Sequence, residues 1–116
     1  GTSVQNMAHW AQAVRSGDFR YYDFGSASKN MKHYGEPTPP FYKVENFSNK
    51  LVVYYGGKDP LADPADVKGW LSKVPNGLLL HAHEYPSFGH CDLVWGISPE
   101  AIEMNKQIAS FIREHA

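Results

Sequence analysis

The chain has 116 residues, 42% of them hydrophobic, which is enough for one small domain with a core. Its 11 basic and 12 acidic residues leave a formal charge of −1, which excludes the strongly basic surface that nucleic-acid binding needs. No apolar run is long enough to cross a bilayer, and the single cysteine, Cys91, excludes an internal disulfide framework. The first residues carry no basic-then-apolar leader pattern, which leaves the compartment open.

In chain order, the first predicted element is a helix. Val4, Met7, Ala8, Ala11 and Val14 recur at helical spacing and define its buried face. Thr2 with Gln5 has capping-box spacing, and Gly17 is a natural stop. Residues 18–49 are aromatic, polar and proline-bearing without a sustained period. They read as a long packed excursion with room for one short helical turn. Leu51 to Tyr55 is a continuous β-prone run, as in a strand buried on both faces of a parallel sheet. Asp63 as N-cap and Pro64 at the first helical position open a second helix, buried through Val67, Trp70, Leu71 and Val74. Leu78 to His83 reads as a second strand. Ser98-Pro99-Glu100 starts a last helix with Ala101, Met104, Ile108, Phe111 and Ile112 inward.

This order is βαβα, with a right-handed crossover between parallel strands. Two parallel strands do not make a stable sheet by themselves, so the α/β pattern is expected to be incomplete and part of a larger domain.

The chemistry centres on Asp59 and His90. Asp59 follows the first strand and the pair Gly56-Gly57, which lets the backbone turn sharply there. His90 comes 31 positions later, in a loop beginning Pro86-Ser87-Phe88-Gly89 after the second strand. Strand ends are where open α/β folds place reactive groups, and an acid followed by a histidine is the order of the last two members of a Ser–Asp–His triad. Asp59 would then orient the His90 ring. Plain turn chemistry at Lys58-Asp59-Pro60 is the competing reading. The helix start accounts for the rival acids Asp63 and Asp66.

No Gly-x-Ser-x-Gly nucleophile elbow occurs. Ser87 lacks the first glycine and the following helix, and Ser3 has no strand before it. His81 and His83 would share one face of a strand, yet no Cys/His/Glu spacing supports a metal site, and no cofactor is expected. Cys91 is expected to be buried as a small apolar residue. Asn46-Phe47-Ser48 is a possible N-glycosylation sequon.

Several motifs in order resemble the acid lipase family, which includes gastric and lysosomal acid lipases. They are Gly1-Thr2-Ser3-Val4-Gln5-Asn6-Met7, His9-Trp10, Gln12-Ala13-Val14, Tyr22-Asp23-Phe24-Gly25-Ser26 and Pro39-Pro40 with Tyr42. The longest are Gly56 through Val67 and His90-Cys91-Asp92-Leu93-Val94-Trp95-Gly96. The resemblance implies a capped α/β-hydrolase acting on triacylglycerols or cholesteryl esters at a lipid interface, secreted or lysosomal. It implies that Asp59 is the triad acid and His90 the triad base, with Asp92 ordering the histidine loop. It also implies one segment of a hydrolase domain over 1–116. About 1–40 would form the end of the cap and the return to the core, and about 50–116 the last two core strands and helices.

Lys50, Cys91 and a longer Asn76–His90 segment depart from the family pattern, leaving both triad members in place. The nucleophilic serine would come from an N-terminal segment, the implied partner, without which this chain is expected to be inactive. A non-catalytic lipid-binding or carrier protein on the same fold is the alternative. A small independent domain that binds a partner through residues 18–42 is another.

Overall fold

The computed structural model describes residues 1–115, and the chain divides into two compact units, Gly1–Lys43 and Val44 onward.

The first unit holds helices α1 (Val4–Ser16) and α2 (Ala27–Tyr34). Ser3, rather than Thr2, caps α1: its hydroxyl accepts from the Asn6 amide at 3.1 Å, while Thr2 Oγ1 accepts from the Asn6 side chain. Gly17 ends the helix in the left-handed region, with φ +69°. The expected apolar face is not the buried one. Val4 and Val14 are 87% and 82% exposed, whereas His9 and Gln12 point inward. Their bonds explain the reversal. His9 Nε2 lies 2.8 Å from the Arg20 carbonyl, and the Gln12 amide clamps both backbone groups of Asp23, at 2.8 and 2.9 Å.

The long excursion contains a full two-turn helix, α2, capped by Ser26 and stopped by left-handed Gly35. Its inward residue is polar. Asn30 is 3% exposed; its Oδ1 accepts from the Phe24 amide, and its Nδ2 donates to Asp23 Oδ1 and to the Pro37 carbonyl. Arg20 and Phe41 form an antiparallel bridge closing the segment, with the guanidinium 3.8 Å over the Phe41 ring.

The second unit begins with a 3-10 turn (Val44–Asn46), followed by strand β1 (Leu51–Gly56), helix α3 (Pro64–Leu71) and strand β2 (Leu79–Tyr85). Two more helices follow, α4 (Asp92–Trp95) and α5 (Pro99–His115). β1 and β2 pair in parallel, with Val52 opposite His81 and Gly56 opposite Tyr85. The strand is half-buried along most of its length rather than buried on both faces. As expected, Asp63 caps α3, its carboxylate accepting from the Ala65 amide at 2.8 Å with Pro64 at the helix start. Val67, Trp70 and Leu71 take its less exposed side, whereas Val74, expected on the same helix, lies beyond its end at Leu71, also partly buried. Lys68 ties α3 to β2 through Glu84 at 2.7 Å.

The core gathers Phe88, Ala101 and Met104, with Tyr54, Tyr85, Leu93 and Ile108 against them. Ala101, Met104 and Ile108 are inward as their spacing predicts, but Ile112 is 63% exposed because α5 runs on beyond the core. No helix of the described residues is long and apolar enough to cross a membrane.

Candidate active site

The two glycines at the end of β1, Gly56 its last residue and Gly57 the next, are required by close approach rather than by turning. Neither has a positive φ. A Cβ on Gly56 would lie 2.4 Å from the Phe88 carbonyl oxygen, and one on Gly57 would lie 2.7 Å from Pro86 Cα. Stripped of side chains, the end of β1 zips onto the loop after β2. Gly57 N–H donates to the Tyr85 carbonyl at 2.8 Å, and Lys58 N–H to the Phe88 carbonyl at 2.9 Å. Phe88, 5% exposed in the core, anchors that loop from below. Sequence reasoning passed over Phe88, although an aromatic between Pro86 and Gly89 was a signal for it.

This zipper brings Asp59 and His90 together. Asp59 is 2% exposed, and its two carboxylate oxygens are divided between tasks. Oδ1 accepts from the Leu61 and Ala62 amides at 2.8 and 2.9 Å, fixing its own turn. Oδ2 lies 3.0 Å from His90 Nδ1. Burial pushes the Asp59 carboxyl upward, but the Ala62 amide, the His90 ring and the Leu61 amide together hold it below the usual carboxylate range. An ionised carboxylate only accepts, so the bond requires the proton on Nδ1, the tautomer whose Nε2 is an acceptor. The His90 side chain is 55% exposed, leaving that nitrogen room for a second partner.

Asp92 shapes the turn that carries His90. Its Oδ2 accepts from the Gly89 amide at 2.7 Å, closing the loop across the histidine. Cys91 corrects an expectation: it is exposed, not packed. Its carbonyl accepts from Val94 and Trp95 amides at the start of α4, and Leu93 takes the inward position in its place.

Other candidates stay apart from this pair. Asp63 is occupied with its cap, and Ser87 is exposed in the turn before Phe88. His81 and His83 do share a face of β2, with parallel rings 6.1 Å apart and His81 against Phe111. Among the described residues, no group of three His, Cys, Asp or Glu side chains is arranged to hold a metal ion. A cleft of 360 Å³ belongs to the first unit, lined by His9, Gln12, Arg15, Asp18, Arg20 and Asp23. Within it Arg20 Nε lies 2.9 Å from Asp18, and His9, Gln12 and Asp23 bond to neighbours in the same unit.

A buried acid and its histidine thus meet just beyond the carboxyl ends of two neighbouring parallel strands. No family model matches the chain. Curated relatives do. It is 46% identical to gastric triacylglycerol lipase of Homo sapiens over 98% of its own length and 28% of that protein. It is also 46% identical to a putative lysosomal acid lipase/cholesteryl ester hydrolase of Crotalus adamanteus, over 84% of the chain and 24% of the relative. For lipase member M of Homo sapiens the identity is 43%, over 84% and 22%. The chain belongs to the acid lipase family and spans about a quarter of the length of these relatives.

Proposed function

We propose that the chain is the carboxyl-terminal portion of an α/β-hydrolase that cleaves carboxylic esters of neutral lipids, triacylglycerols or cholesteryl esters, on the secretory route. Residues 1–40 would belong to the end of its cap, and residues from 50 onward to its catalytic core. The observation that carries this reading is the 3.0 Å contact between buried Asp59 and the Nδ1 of half-open His90. The names of the relatives, which include triacylglycerol lipase and cholesteryl ester hydrolase, supply the substrate class.

In this reading a serine from a segment outside residues 1–116 approaches Nε2. His90 takes the hydroxyl proton as the serine oxygen attacks the ester carbonyl, then returns it to the leaving alcohol. Water repeats the exchange on the acyl-enzyme and releases the fatty acid. Asp59 stays ionised throughout and stabilises the imidazolium by its charge. Its low proton affinity suits that task in an acidic medium, because the carboxylate persists below the usual carboxylate range. Amides and carboxylates within this chain shape the base; the oxyanion donors would come with the serine.

The test uses the intact protein with an emulsified triacylglycerol and a cholesteryl ester. Asp59→Asn should preserve the fold and lower kcat by about 10⁴-fold, since the amide favours the wrong ring tautomer. Labelling with a serine-reactive fluorophosphonate should fall outside residues 1–116. An Asp59→Asn protein that hydrolyses either ester at the wild-type rate sinks the proposal, as does a labelled serine within these residues.

A further inference from the structure

Asn46-Phe47-Ser48 is the one Asn-x-Ser/Thr tripeptide in the sequence, and the proposed chemistry leaves it unused. The structure presents it openly. Val44 is buried and fixes the start of the turn, whereas residues 45–50 are all exposed. The local backbone is held there by a single turn bond, from the Phe47 amide to the Val44 carbonyl at 3.0 Å. Phe47 leans edge-on toward Trp70, 6.4 Å between ring centres, so the middle residue is tethered while Asn46 and Ser48 face solvent. Among the described residues, neither the Asn46 amide nor the Ser48 hydroxyl takes part in a side-chain hydrogen bond that modification would break.

We infer that Asn46 carries an N-linked oligosaccharide. The donor is a polyprenyl-pyrophosphate-linked sugar chain of the secretory route. A bond forms between Asn46 Nδ2 and C1 of the first sugar, the bond from C1 to the pyrophosphate oxygen breaks, and the amide proton leaves to a base of the transferase. The inference rests on the secretory reading above. Its position also bears on the site. Asn46 precedes the amino end of β1, while Asp59 follows the carboxyl end. Six strand residues at about 3.3 Å each place roughly 20 Å of β1 between the two flanks. A glycan there leaves Asp59 and His90 clear, and it requires the amino end of β1 to face solvent in the intact protein.

The experiment is a peptide map of the intact protein recovered from the medium or lysosomes of a eukaryotic host. Trypsin cuts after Lys43 and Lys50 and so isolates Val44–Lys50. That peptide should appear only as a glycopeptide. After peptide-N-glycosidase treatment in heavy-oxygen water, it should appear with Asn46 converted to labelled aspartate. Ser48→Ala should abolish the modification and leave ester hydrolysis at the wild-type rate. Full recovery of the unmodified peptide from secreted or lysosomal protein overturns the inference alone. A folded, active protein that stays in the cytosol overturns the secretory reading as well.

Discussion

Among the described residues, each unit buries one polar side chain almost completely, and the two are used in opposite ways. Asn30 in the first unit turns inward and joins three partners of its own unit, the Phe24 amide, the Asp23 carboxylate and the Pro37 carbonyl. Asp59 in the second commits one oxygen to its own turn and extends the other to a ring that is more than half exposed. A closed set of bonds stabilises a loop. An open one holds a reactive group in place and leaves its far side free. The proposed function therefore rests on the exposure of Asp59's last partner and not on burial, which Asn30 shares.

Four perturbations sharpen that contrast, in descending size. The largest is on activity, the Asp59→Asn loss described above. Next is Gly56→Ala, which drives a methyl group into the Phe88 carbonyl and separates the two loops. It should destabilise the second unit by about 3 kcal/mol, read by urea denaturation, with faster amide exchange at Gly57 and Lys58. A destabilisation within a few tenths of a kcal/mol would mean that the loops are not zipped as described.

Asn30→Ala should destabilise by about 1–3 kcal/mol, because it strands the Phe24 amide and one acceptor. Its exchange effects should stay within residues 19–42 and leave Asp59→Asn kinetics untouched. A change in the ester hydrolysis rate would show that the closed set of bonds is not merely structural. Ser3→Ala, which removes the α1 cap, should shift stability by only about 1 kcal/mol.

The pH dependence follows from the same comparison. Asp59 has a lower pKa folded than unfolded, so its stabilisation is fully present above the unfolded carboxylate range, about pH 4. It fades as pH falls through the depressed folded value. Stability of the wild-type chain should therefore drop more steeply below pH 4 than that of Asp59→Asn, measured by thermal melts across the range. Asp23, lowered by its bonds from Asn30 and Gly25, adds a second contribution of the same sign that Asn30→Ala should weaken.

Much of the second unit was readable in the sequence because its signals are local and agree with one another. Asp63-Pro64 caps α3 by chemistry that needs only neighbouring residues, and Leu51–Tyr55 is β-prone at every position. The first unit misleads for a physical reason. Helical spacing in α1 identifies an apolar stripe but not which side meets the rest of the unit, and the side chosen bonds through His9 and Gln12. α2 carries a sound Ser26 cap and Gly35 stop, yet its inward residue is an asparagine, so hydrophobic periodicity is silent there. Cys91 departs from the habit of its residue type because Leu93 fills the core position beside it.

By itself, the sequence determined α1, β1, α3, β2 and α5, the candidates Asp59 and His90, and their order along the chain, since each depends on residues a few positions apart. Only the tertiary structure decided that Gly56 and Gly57 serve a backbone approach rather than a turn. It also decided which oxygen of Asp59 reaches which nitrogen of His90. Contact between residues 31 positions apart depends on how two strands pair and how closely their loops can meet, and no local preference encodes that distance.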